Sequence, residues 1–142
     1  MQKKVVILPC SGIGKVFGTV GRHATYIVVN KLRPETTTTF CLPLLQIGDK
    51  EALGLAENNF VISIDGCAKA CSLKDIERST GRTSDASVTV MDVFKKNKKL
   101  VTREVTFLDE KGKELAMKVA ERVAEKVDKL LYGYSRGDSG NA

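Results

Sequence analysis

The stretch Phe60-Val61-Ile62-Ser63-Ile64-Asp65-Gly66-Cys67 decides the fold: a short apolar run that breaks at an Asp-Gly turn carrying a cysteine. A nearly continuous apolar run of this length, rich in β-branched residues, is the pattern of a strand covered on both faces. Strands of that kind belong to parallel sheets, whose crossovers are helices. Working outward, Lys3 to Leu8 repeats the pattern and is bounded by Pro9. Thr36 to Phe40 is a shorter, Thr-rich strand that runs into Cys41. Between these two, Ile13, Val16, Phe17, Val20, Ala24, Ile27 and Val28 fall at helical spacing, which predicts a helix from about 13 to 31 that ends before Pro34. Gly14, Gly18 and Gly21 lie on one side of it, as if another backbone packed closely there.

The remaining segments continue the alternation. A short helix over 50–57 has Asp49 as its N-cap and Asn58-Asn59 as its stop. Residues 66–79 are expected to be helical, ending at Gly81 as a C′ residue. Val88 to Phe94 and Val101 to Leu108 read as strands of a hairpin joined by Lys95-Lys96-Asn97-Lys98-Lys99. Leu115, Val119, Val123, Val127 and Leu131 repeat every four residues with charges opposite, the signature of an amphipathic helix. The expectation is an α/β fold: a single layered domain over 1–132, with a mostly parallel sheet flanked by helices, and a flexible tail over 133–142.

Composition is consistent with that. The chain has 142 residues, 42% hydrophobic and 28% charged, a size and balance suited to one core. Lys3 and Lys4 precede only the short run Val5 to Leu8, too little for a signal peptide, and no later apolar run is long enough to span a bilayer. A cytoplasmic location is expected, and there clustered cysteines point to metal or thiol chemistry rather than disulfides.

In parallel sheets the loops after the strands line the ligand crevice. Cys10 follows the first strand, Cys41 the second and Cys67 the third, with Cys71 one helical turn further on. Four thiols would thus converge on the strand C-terminal edge, where they suit a tetrahedral ion whose sulfurs lie roughly 3.8 Å apart. Lys15 and Lys69 could offset part of the negative charge of such a centre. Any one of the four cysteines taken alone would also suit a small buried hydrophobe.

The segments Cys10-Ser11-Gly12, Cys41-Leu42 and Asp65-Gly66-Cys67 followed by Cys71 resemble the DGC-domain family of zinc-binding proteins, over about residues 5–82. That family is named for its Asp-Gly-Cys motif and carries four characteristic cysteines. The resemblance implies that Cys10, Cys41, Cys67 and Cys71 are those cysteines and that their metal is zinc. It implies no reaction.

Other motifs are excluded or secondary. Gly14-Lys15 does not make a phosphate-binding loop: Pro9 stands where the first Gly belongs and Val16 where a hydroxyl would hold Mg²⁺. No Arg lies between Cys10 and Arg22 to support a phosphatase-like nucleophile, and the single histidine, His23, is mid-helix. Net charge is +6 and Lys95–Lys99 is basic, yet only Phe94 adjoins that cluster to stack on a base, so nucleic acid is not the expected partner. The function expected is metal binding, one zinc held by four thiolates in a metal-handling or structural role, with the metal ion and an unidentified protein as partners. A [4Fe-4S] cluster on the same cysteines, or a thiol-based redox or sulfur-transfer enzyme using Cys67 and Cys71, are the alternatives.

Overall fold

The apolar run around Ile62 forms a central strand of a four-stranded sheet in which all strands are parallel. Across the sheet the order is Thr37–Thr38 (β2), Val5–Pro9 (β1), Phe60–Asp65 (β3) and Ala86–Thr89 (β4). This computed structural model describes residues 3–10 and 12–133. The tail expected over 133–142 therefore lies, from residue 134 on, outside the described residues, as does Ser11. The helices are Val16–Ile27 (α1), continued by a π-helical turn over Val28–Leu32, then Pro43–Gln46 (α2), Lys50–Asn58 (α3), Cys71–Thr80 (α4), Val90–Lys95 (α5) and Glu110–Tyr132 (α6).

Strand periodicity sorts the core into two layers. Val5 and Ile7 of β1, with Ile62 and Ile64 of β3, face α1, α5 and α6, where they meet Val20, Ala24, Val90 and Leu115. Val6, Leu8 and Val61 point the other way, onto Leu45, Ala52, Ala56 and Ile76 of α2, α3 and α4. Both faces are buried, which is why β1 and β3 need apolar residues at consecutive positions rather than at alternate ones. Since β2 and β3 flank β1 on opposite sides, the connections out of β1 and into β3 take opposite faces of the sheet.

The helix ends show their local causes. Asp49 caps α3, its carboxylate accepting from Ala52 N at 3.0 Å. Gly81 and Gly133 close α4 and α6 in the left-handed region. Along α6, Leu115, Val119, Val123 and Val127 are fully buried. Its far end is tied down by Arg33, whose guanidinium donates to both carboxylate oxygens of Asp128 at 2.8 and 2.7 Å.

Two of the sequence expectations that are overturned concern the hairpin and the start of α1. The hairpin over 88–108 does not form. Only Ala86–Thr89 is a strand, and it pairs in parallel with β3, Ile64 opposite Val88. Val90, Val93 and Phe94 instead use their i, i+3, i+4 spacing to build α5, with the Phe94 ring 5.2 Å from that of Phe17. Residues 101–108 take no regular structure and are pinned at points, by buried Thr102 and Leu108 and by a hydrogen bond from the Thr19 hydroxyl to Val105 O. Likewise, α1 starts at Val16 rather than Ile13, so Gly14 is outside it, in a turn at φ 83°.

The other two glycines do mark close packing. A Cβ on Gly18 would overlap the backbone of Gly12, and one on Gly66 would stand 3.1 Å from both Gly18 N and Phe17 C. At Gly21 a Cβ would meet Ile64 Cγ2 at 3.2 Å. Glycine is needed here for room between backbones, because α1 lies directly against the end of β3 and the loop after β1. Gly18→Ala is expected to destabilise the protein by about 1–3 kcal/mol through overpacking. Gly54→Ala, in open space on α3, should instead stabilise by about 0.5–1 kcal/mol. Urea denaturation of the two variants checks both signs.

Candidate metal centre

Each cysteine sits at the C-terminal edge of the sheet, but the four are held differently. Cys10 leaves β1 still in register: its N–H donates to Ile64 O at 2.8 Å, and its Sγ accepts from Gly66 N at 3.4 Å. Cys67 lies in the turn after β3, its carbonyl accepting from Ala70 N at 3.2 Å. Cys71 is the first residue of α4. Cys41 follows the two-residue strand β2 and precedes buried Leu42 and the proline that opens α2. All four are free thiols, with Cys10 and Cys67 half-buried and Cys41 and Cys71 exposed.

Two cavities open at this edge. The larger, about 650 Å³, is lined by Cys10, Cys67 and Cys71 together with Asp65. The smaller, about 400 Å³, is lined by Cys41 and by Cys10. The structure thus brings three cysteines to one cavity and sets Cys41 in its neighbour, with Cys10 facing both. As placed, no three Cys, His, Asp or Glu side chains among the described residues stand close enough together to hold a metal ion. In kind, however, the donors fit a thiophilic cation. They are thiols on short segments after three adjacent strands, and the nearest carboxylate, Asp65, is already engaged.

Asp65 organises the edge. Its two oxygens accept from Ser72 N at 2.7 Å and Leu73 N at 3.2 Å, capping α4 from the end of β3. Burial pushes its pKa up, and the two N–H donors only partly oppose that. The cap also explains where α4 begins. A helix starting at Gly66 would put Cys67 and Cys71 one turn apart on a common face, but the helix starts only at Cys71. The chain between makes a turn ending at Ala70, which sits in the left-handed region at φ 54°. Gly66 has no positive φ, so its missing side chain serves the approach of α1 rather than a sharp turn.

Burial also raises the pKa of the Cys10 thiol. The Gly66 N–H opposes this, while Asp65, Cys71 and Cys67 add to it through their negative charge. A thiol in that setting is a poor free nucleophile, because the thiolate is the reactive form. The same neighbourhood of acidic groups is what a cation would relieve.

The residues outside the cluster separate cleanly from it. His23 is mid-α1 beside Tyr26, and lines neither cysteine cavity. Lys95 to Lys99 line a different hollow with Glu114 and Lys118, beside α6, and do not form a hairpin tip. Phe17, Met91 and Thr102 line the larger cavity and were invisible as site residues in the sequence. Met91 arrives only because β4 turns directly into α5, with Met91 N donating to Gly66 O at 3.2 Å. The turn α2 was missed too, although Pro43 at its start is a recognisable signal.

An open parallel sheet flanked by helices, with the cysteines on the segments beyond its strand ends, defines an α/β domain. The DGC-domain family model matches residues 6–127, and the chain belongs to that family. The match runs well past the motif region, through β4 and into α6. No curated protein and no solved structure matches the chain.

Asp65→Ala should lower stability by about 1–3 kcal/mol by freeing two N–H groups at the start of α4. Asp65→Asn, which keeps one acceptor oxygen, should lose less, as read by chemical denaturation. A second effect is pH-dependent. Burial, with Arg22 and Lys113 nearby, lowers the pKa of His23 below its ordinary 6.5. The unfolded chain then binds a proton that the folded one resists, so stability falls as pH drops from about 6.5 toward the folded-state value. His23→Gln should flatten that part of the stability–pH curve, measured by thermal denaturation from pH 7 to pH 5.

Proposed function

We propose that this protein binds one zinc ion through Cys10, Cys41, Cys67 and Cys71, in a metal-handling or structural role in the cytoplasm. The observation that carries the reading is the position of Cys10. It faces the cavity of Cys67 and Cys71 on one side and that of Cys41 on the other, so it is the common member of both groups. Cys41 and Cys71 are exposed, so their side chains are free to change rotamer about Cα–Cβ. Four thiolates suit tetrahedral zinc, which then needs no further ligand, and the cytoplasm keeps such thiols reduced. Membership of the DGC-domain family supports the choice of these four residues. Among the described residues no helix is long and apolar enough to cross a membrane.

A second reading has its own support. A cavity of about 650 Å³ beside three of the cysteines has room for more than one ion, as a [4Fe-4S] cluster on the same thiolates would need. A redox or sulfur-transfer role using Cys67 and Cys71 alone is the third, resting on the two cysteines closest in sequence.

Metal and acid-labile sulfide analysis of protein purified without oxygen separates these. The expected result is about one zinc per chain, no sulfide and no colour. Cys10→Ser, Cys41→Ser, Cys67→Ser and Cys71→Ser should each surrender zinc to a chelator that the parent protein resists. Iron with sulfide and a brown colour would establish the cluster. Full retention of zinc by one variant would remove that cysteine from the set. Four titratable thiols with neither metal would sink metal binding and leave the thiol enzyme.

A further inference from the structure

A metal bound by thiolates needs donors and little volume, yet the cavity at Cys10, Cys67 and Cys71 measures about 650 Å³. That is the size of a small-molecule site, for which about 300–1,000 Å³ is usual. It also lies beyond the ends of β1 and β3, where connections leave the sheet in opposite directions and ligands of open parallel sheets bind. We propose that this cavity binds a small organic anion, its apolar body against Val16, Phe17, Leu42 and Met91 and its acidic group at Lys15 and Lys69.

The walls set that chemistry. Val16 and Phe17, Leu42, and Met91 line the cavity from three separate segments, and they cover apolar ligand surface without offering it hydrogen bonds. The charged groups are unequally available. Asp65 is committed to Ser72 N and Leu73 N, and Asp75 accepts from the Ser79 hydroxyl at 3.2 Å. Lys15 and Lys69 also line the cavity and pair with no carboxylate among the described residues. Lys15 immediately precedes α1, a helix of 12 residues whose N-terminal dipole adds to the attraction for an anion. The positive groups are therefore the free ones, and both stand on the loops that also carry the cysteines. The groups proposed to hold the anion are not the cysteines, although Cys10, Cys67 and Cys71 line the same cavity.

The test uses the full chain, as purified and after chelator treatment, with anilinonaphthalene sulfonate as an anionic probe and phenylnaphthylamine as its neutral counterpart. Fluorescence titration should show saturable binding at one site per chain. The double variant Lys15→Ala/Lys69→Ala should weaken the sulfonate about fivefold or more while leaving the neutral probe little changed. Val16→Trp should weaken both by filling the cavity. Lys98→Ala/Lys99→Ala, at the separate basic hollow, should change neither. Non-saturable binding, an unaltered sulfonate affinity in the first double variant, or a loss confined to the Lys98/Lys99 variant would each overturn the proposal. If Val16→Trp fails to fold, the two charge variants still decide. Zinc content measured on the same samples keeps the outcomes separate: loss of probe binding with zinc retained concerns this cavity alone.

Discussion

Three backbones meet at Gly12, Gly18 and Gly66 with no side chain between them. One belongs to the loop after β1, one to the start of α1 and one to the end of β3. Their contact fixes α1 against the strand ends at the place where the cysteines emerge. With α1 any further out, the loop after β1 would lose its backing. Phe17, one residue before Gly18, would no longer close the cavity beside Cys67. A steric allowance of one missing Cβ thus reaches, through helix placement, to the geometry of the whole edge.

This edge is costly to the fold. Asp65 is nearly fully buried, and burial works against its charged form. Cys10 carries a similar burden, and Ala70 holds a left-handed conformation that costs a non-glycine residue about 1 kcal/mol or more. Elsewhere the chain is conventional: valines and isoleucines in β1 and β3, a four-residue repeat along α6, Asp49 and Asp109 as caps. Three unfavourable features, at Asp65, Cys10 and Ala70, are thus gathered at one strand-end crevice.

What the sequence made legible follows the same division. The two buried strands, the amphipathic α6, the Asp49 cap and the parallel architecture could be read because each is decided by local pattern. The positions of the cysteines at strand ends were legible for the same reason. The false hairpin over 88–108 shows where local pattern stops. Val88, Val90 and Phe94 satisfy a strand template, but β3 offers a parallel edge that takes only Ala86–Thr89, and the spacing of Val90, Val93 and Phe94 then fits a helix against Phe17. The start of α4 was equally hidden, since it depends on Asp65 reaching seven and eight residues ahead to Ser72 and Leu73 rather than on the glycine beside it. Of the larger cavity only the edge where it lies, with its cysteines and Lys15 and Lys69, could be read; Phe17, Met91 and Thr102 could not, because they come from segments separated by most of the chain.

The cysteines themselves are unequal in how firmly the fold holds them. Cys10 is bound into the β1–β3 ladder, and Cys67 and Cys71 bracket a turn whose far end is capped by Asp65. Cys41 has the weakest support: it follows a strand of two residues at the sheet edge, paired only to β1 through Val5–Thr37 and Val6–Thr38. Edge backbone with so few partners opens more readily than the centre of a sheet. A site built in this way is three parts rigid and one part adjustable. The rigid part stands at the switch point, where the cavity lies, and the adjustable part stands one strand away. For the ion proposed above, such an arrangement would favour exchange over permanent enclosure, because release would require movement only of the strand edge and would leave the core behind the other three thiols intact.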